Sequence, residues 1–119
     1  MHGATAETTY VRHAIALYND PVMTQLVAQV AREAEGVQRV DRHFRMMAGE
    51  DMAYLLEAVP GCYFFVGCGK EDGSSEPHHS PRFQVDEAAL PIGAAVMLRA
   101  VAAYFVDDAI EPHRPGAFL

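Results

Sequence analysis

The sequence predicts an α/β fold, a partial layered sheet with helices on both faces. Segments rich in β-branched and aromatic residues alternate with segments of helical periodicity along the 119 residues, and this order is typical of layered α/β structures. The apolar run at residues 62–66 lies between glycines. A continuous apolar run of this length is typical of a central strand that helices cover on both sides.

Length and composition indicate one domain and disfavour two classes of partner. The chain is 50% hydrophobic and carries nine basic against sixteen acidic residues, a net charge of −7. Such acidity disfavours nucleic acid and anionic membrane surfaces as partners. No apolar run reaches about 18 residues without a charge, and the first residues lack the pattern of a signal peptide. We therefore expect no membrane partner and a cytoplasmic location, with Cys62 and Cys68 as buried, inert thiols.

The strongest helix signal follows Asn19. Asp20 can cap the free N–H groups of a helix start, and Pro21 suits the first helical position. Apolar residues then recur every three or four positions until Gly36, which is a typical helix end.

Two further helices and three strands complete the predicted order. The helices cover residues 51–58 and 90–106, and the second of them has almost no polar face, which predicts burial on most sides. The strands cover residues 7–14, 37–40 as a short edge strand, and 62–66. Residues 67–82 are predicted to form a loop.

The candidate site lies in that loop, at Pro77-His78-His79-Ser80-Pro81. Ligands of open α/β sheets bind outside the carboxyl ends of the strands, and neutral imidazole is a common metal ligand. From the residues alone, an exposed histidine pair is favoured over a metal site, because a metal usually needs three or four protein ligands. Glu50 and Asp51 are first interpreted as favourable charge at a helix start. His113 lies in a proline-rich tail and is not counted as a ligand.

Several motifs in one order resemble a known family. They are Met-Ala-Gly-Glu-Asp-Met-Ala-Tyr at residues 47–54, Val-Pro-Gly at 59–61, Tyr-Phe-Phe-Val-Gly at 63–67, His-Ser-Pro-Arg-Phe at 79–83 and Asp-Glu-Ala-Ala-Leu-Pro-Ile-Gly at 86–93. This order is similar to the carboxyl-terminal end of the metal-dependent amidohydrolases that include hippurate hydrolase, aminoacylase-like enzymes and the hydrolases of indole-acetyl–amino acid conjugates. The likeness covers nearly the whole chain.

The resemblance implies a fold and a metal site. Residues 14–119 correspond to the carboxyl-terminal portion of a dinuclear-metal aminopeptidase-like catalytic domain, and residues 1–13 to the last strand of a lid or dimerisation domain. His79 matches a ligand of the family's two-metal centre, which holds zinc or manganese. Glu50 and Asp51 are carried over only in a supporting role. Met52 replaces the family's usual Phe, and both fill apolar space.

The family's other metal ligands and its glutamate base lie in an amino-terminal half that has no counterpart in this sequence. The resemblance therefore implies a fragment of a hydrolase of N-acyl amino acids or similar conjugates, inactive alone. Its partners would be that missing amino-terminal half and the small-molecule substrate, and a homo-oligomer is compatible with the family. The alternative is a stand-alone, non-catalytic α/β module that binds a partner through its unpaired first strand.

Overall fold

The computed structural model describes residues 3–11, 13–70 and 72–106, and this part of the chain contains three α-helices. They are α1 (Pro21–Arg32), α2 (Met52–Ala58) and α3 (Ala89–Val106). All three lie where the sequence predicts helices, with starts that differ from the predicted ones by a residue at most. The helical half of the prediction is therefore confirmed.

The start of α1 is stabilised as its sequence predicts. The Asp20 carboxylate accepts hydrogen bonds of 2.9 Å from the backbone N–H groups of Val22 and Met23. The Thr24 hydroxyl donates to the Asp20 carbonyl at 2.7 Å. Pro21 occupies the first turn, where its missing N–H leaves no acceptor unpaired.

The core forms where α1 packs against α3. Gly36, which follows α1, has a φ of 84° and lies so close to α3 that a Cβ atom would sit 2.8 Å from Ile92 Cδ1. Glycine meets both requirements, because it adopts a positive φ without strain and has no side chain. The buried residues of this cluster are all aliphatic: Leu26, Val27, Val30, Ala31, Ala34 and Val96.

The predicted α/β fold is wrong for the part of the chain that the structure describes, which contains no strand and therefore no sheet for helices to cover. Residues 62–66 are not a central strand. The Asn19 side-chain amide pairs with the Tyr63 backbone, since Asn19 Nδ2 donates to Tyr63 O and Tyr63 N donates to Asn19 Oδ1, each at 2.8 Å. The Asp20 N–H donates to the Gly61 carbonyl at 2.9 Å.

These three bonds explain the error. A β-ladder requires two extended segments that exchange a series of backbone hydrogen bonds, whereas here the Asn19 side chain bonds to the backbone of Tyr63 and the Asp20 N–H bonds to Gly61. The other two predicted strands also fail. Residues 7–11 are exposed without regular structure, residues 13 and 14 are also irregular, with Ala14 half-buried, and residues 37–40 are irregular.

α3 is far less buried than its composition predicts. Only Ala89 and Val96 are buried, so the expectation of burial on most sides is wrong. With 18 residues and a mean hydropathy of 1.8, α3 is by length and composition alone long and apolar enough to cross a membrane. Core helices of soluble proteins pass the same test, so the finding is weak evidence, and the expected absence of a membrane partner stays a prediction.

Glu50 connects the start of α2 to Tyr63. One carboxylate oxygen accepts from the Met52 N–H at 3.3 Å, and the other accepts from the Tyr63 hydroxyl at 3.0 Å. The hydrogen bond to Glu50 is the main reason that the pKa of Tyr63 is raised above its ordinary value of 10.0, and desolvation and the negative charge of Glu50 act in the same direction. Glu50 thus holds two parts of the chain together.

The two helix starts that carry aspartate predict different costs of substitution. Asp20 accepts two capping bonds, whereas Asp51 stands at the start of α2 without any side-chain capping bond. Asp20→Ala should lower the free energy of unfolding by about 1 kcal/mol, and Asp51→Ala by no more than about 0.5 kcal/mol. Urea denaturation of both variants measures this, and equal losses would contradict the capping role of Asp20.

The Tyr63–Glu50 bond predicts a pH dependence. Because the pKa of Tyr63 in the folded chain exceeds 10.0, the neutral phenol contributes stability below pH 10.0, and this contribution is lost as the pH rises through the raised pKa. Glu50→Ala should return the pKa of Tyr63 toward 10.0, as measured by the ring-carbon NMR shift during titration. Glu87→Ala, which removes a carboxylate elsewhere, serves as the control. An unchanged Tyr63 titration in Glu50→Ala would contradict this account.

Candidate functional site

The histidine loop is folded into two consecutive turns. The Ser80 N–H donates to the Pro77 carbonyl at 3.2 Å, and the Phe83 N–H donates to the Ser80 carbonyl at 3.0 Å. The Ser80 hydroxyl oxygen also accepts from the Arg82 N–H at 3.2 Å. Ser80 therefore organises the loop through its backbone and its side chain, and the predicted loop has a defined local conformation.

His79 occupies an uncommon backbone conformation in this loop. Its φ is 67°, and it is the one residue other than glycine with a positive φ in the described ranges. Histidine is among the few residue types enriched in this left-handed region. Residues in sparsely populated backbone conformations cluster at functional sites. They persist only where the surrounding structure holds them in that conformation. His79 is the third residue of the turn that the Ser80 N–H closes on the Pro77 carbonyl, and the turn from Ser80 to Phe83 follows directly. These hydrogen bonds provide that restraint.

The two histidines of the loop differ in their surroundings. Both side chains are exposed. The His78 ring packs edge-on against Phe83, with ring centroids 5.1 Å apart. The His78 and His79 rings lie 6.5 Å apart with their planes at 85°, so they diverge as adjacent histidines generally do. His79 is thus the histidine whose imidazole is not packed on the aromatic residue of the loop.

The donor atoms near His79 do not form a metal centre by themselves. No group of three or more histidine, cysteine, aspartate or glutamate side chains converges within residues 3–11, 13–70 and 72–106. Glu76, the carboxylate nearest in sequence, pairs with Arg82 at 2.8 Å. Metal centres in proteins usually have three or four protein ligands. The described part of the chain therefore offers at most an incomplete ligand set.

Glu50 and Asp51, to which the sequence assigned a supporting role, lie at the start of α2. Glu50 is engaged with Tyr63 and Met52, and Asp51 is exposed. Their observed contacts are those of structural residues. His113, in the proline-rich tail, lies outside the described residues.

The two cysteines are free and half-buried. Burial raises the pKa of the Cys62 thiol, and a hydrogen bond with Thr24 opposes this only in part. A raised pKa keeps the group protonated and unreactive at neutral pH. For Cys62 this agrees with the expected inert thiol.

Two cavities lie apart from the histidine loop. One, of about 250 Å³, lies between the segment before α1 and α2 and is lined mostly by apolar residues, Ile15, Ala16, Tyr18, Ala53, Leu56 and Glu57. The other, of about 380 Å³, is a basic groove that sequence reasoning missed, although the recurrence of arginine after α1 could have indicated it. Its lining residues are Arg32, Arg39, Val40, Asp41, Arg42 and His43.

Comparison with known proteins identifies relatives of this chain. Residues 4–103 match the family model described as Peptidase family M20/M25/M40. "Putative amidohydrolase YhaA" of Bacillus subtilis (strain 168) is 38% identical over 105 residues, which cover 87% of this chain and 26% of that protein. "IAA-amino acid hydrolase ILR1-like 6" of Arabidopsis thaliana is 42% identical over 73 residues, which cover 57% of this chain and 16% of that protein.

A third relative is "N-acetyl-L-cysteine deacetylase" of Bacillus subtilis (strain 168), which is 42% identical over 74 residues, covering 62% of this chain and 16% of that protein. No solved structure matches significantly. The chain thus spans roughly a quarter or less of the length of these three relatives. The family match nevertheless covers most of the chain, so the protein belongs to peptidase family M20/M25/M40.

Proposed function

We propose that this chain is the carboxyl-terminal part of a metal-dependent hydrolase that cleaves the amide bond of N-acyl amino acids or similar conjugates. Two relatives support the substrate class, because their names specify an IAA–amino acid conjugate and N-acetyl-L-cysteine. In this proposal residues 14–119 belong to the catalytic domain, and residues 1–13 belong to a lid or dimerisation domain.

His79 is the residue that we assign to the metal centre. The observation that carries this assignment is its conformation: an exposed imidazole on a backbone of φ 67°, inside the turn that the Ser80 N–H closes on the Pro77 carbonyl. A ligand on a restrained loop loses little conformational freedom when it binds. Because His78 packs against Phe83, the loop presents one imidazole in preference to the other.

The chain's own contribution to the reaction is to hold that imidazole in place. Zinc or manganese, two per complete site, would supply the Lewis-acid chemistry on the amide and on the attacking water. The remaining ligands and the general base would come from the amino-terminal half of the enzyme. This division agrees with the incomplete ligand set of the described residues.

The alternative function, a non-catalytic module that binds a partner through an unpaired first strand, has lost its structural basis. Residues 7–11 form no strand, nor do residues 13 and 14. We therefore do not carry it forward as a second candidate.

The proposal predicts that the 119-residue chain is inactive alone. It should hydrolyse neither hippurate nor N-acetyl-amino acids when zinc or manganese is added, and calorimetry should show no tight, stoichiometric metal binding, because one imidazole leaves most coordination positions to water. Metal-dependent turnover by the purified chain, abolished by His79→Ala, would show that the ligand set is more complete than we propose.

Activity should appear in a chimera in which this chain replaces the matched segment of the Bacillus subtilis relative named putative amidohydrolase YhaA. In that chimera, His79→Ala should lower kcat/KM by at least about 100-fold, since even residues that only orient a metal ligand contribute about 10- to 100-fold. His78→Ala is the matched control, an adjacent exposed imidazole that packs against Phe83, and it should retain most of the activity. An equal decrease of kcat/KM in the two variants would contradict the assignment of His79 to the metal centre.

A further inference from the structure

One side of α3 is apolar and open to solvent. Six positions, 90, 94, 97, 98, 101 and 105, fall within an arc of about 120° when each residue turns the helix by about 100°. We call the five large side chains on this arc the outer face of α3. They are exposed to the following fractions: Leu90 62%, Met97 61%, Leu98 72%, Val101 56% and Phe105 78%.

The outer face is distinct from the side of α3 that packs on α1. Val96, which is buried in the core with α1, lies about 120° or more around the helix from the centre of the outer face. Gly93 lies between the two sides, and a Cβ atom there would be 3.2 Å from Val66. The inner side of α3 is therefore occupied, and the outer face is an additional surface.

Such a surface needs a partner. A helix that borders solvent normally carries polar residues on its outer side, and a helix that is apolar all round is a buried one. On the outer face of α3 the large side chains are instead all apolar and more than half exposed. Large apolar side chains are also exposed on other described segments, among them Phe44 and Met47.

We propose that the outer face of α3 binds the remaining part of an M20 hydrolase, an inference that rests on the proposed function. The matched segment makes up 26% of the Bacillus subtilis relative, so roughly three quarters of that protein lies outside it. A partner of that size can also cover the exposed apolar residues elsewhere on the chain, among them Met47 and Leu55.

Two other occupants fit the observations less well. A second copy that pairs through α3 would leave Met47 and Leu55 uncovered, because they lie on other parts of the chain. A lipid bilayer would have to accept Arg99, in the middle of α3, and a charge there is costly. A bilayer that surrounded α3 would also compete with α1 for the inner side of that helix.

The test compares two valines in two settings. Val101 lies on the outer face and is 56% exposed, and Val22 lies in the first turn of α1 and is 52% exposed. In the isolated chain, Val101→Gln and Val22→Gln should change Tm equally little. In the chimera with the Bacillus subtilis relative, Val101→Gln should lower Tm by at least about 5 °C more than Val22→Gln, because a polar group would then be buried.

Equal Tm shifts in the chimera would overturn the assignment of the outer face. A chain that sediments as a dimer and becomes monomeric on Val101→Gln would assign the face to a second copy, and flotation of the chain with phosphatidylcholine vesicles would assign it to lipid. If the chimera fails to fold, the amino-terminal part of the relative is co-expressed with the chain. Co-purification that is lost in Val101→Gln and kept in Val22→Gln supports the proposal, and any other pattern overturns it.

This outcome is separable from that of the proposed function. Loss of chimera activity in His79→Ala, together with equal Tm shifts for the two valines, would support the function and overturn the docking surface. A selective Tm effect at Val101 in a chimera without hydrolase activity would do the reverse.

Discussion

The packing of α1 against α3 is the contact on which the rest of the described structure depends. It provides the buried cluster, and every member of that cluster is aliphatic, so burial in itself is the stabilising force. Gly36 permits the close approach, because its φ of 84° and its missing side chain leave space for Ile92. The extended segment at residues 62–66 joins the same core through Cys62 and Phe64, which pack against it.

Polar contacts then fix the segments that this core does not hold. Asn19 and Asp20 join the start of α1 to the segment around Tyr63. Asp20 caps α1, and Asn19 pairs with the backbone of Tyr63. Glu50 continues the connection from Tyr63 to the start of α2. Backbone groups removed from water need partners, and for Tyr63 the Asn19 side chain provides both bonds. The histidine loop, farther along the chain, is held by its own turns.

The exposed apolar surface links the structure to the proposed function. A chain that matches a hydrolase family over most of its length, yet covers about a quarter of a relative, is expected to show surfaces that the remaining part of such an enzyme would bury. The outer face of α3 is such a surface. Under the proposed function, the incomplete ligand set of the described residues would have the same explanation, because a metal centre assembled from two parts of a protein leaves each part short of ligands.

The sequence by itself determined the helices, their starts and the family. Capping by Asp20 and the position of Pro21 depend on residues within a few positions of each other, so a local pattern is sufficient to predict them. The end of α1 was predicted less well, because the helix ends at Arg32, four residues before the predicted stop at Gly36. The motif order around Gly49, His79 and Asp86 was sufficient for the family. Only the tertiary structure decided that Gly61 and Tyr63 bond to Asp20 and Asn19 instead of to a strand, and that α3 exposes its outer face. Strand pairing and burial depend on which distant segments lie alongside, and neither hydrophobicity nor periodicity encodes that.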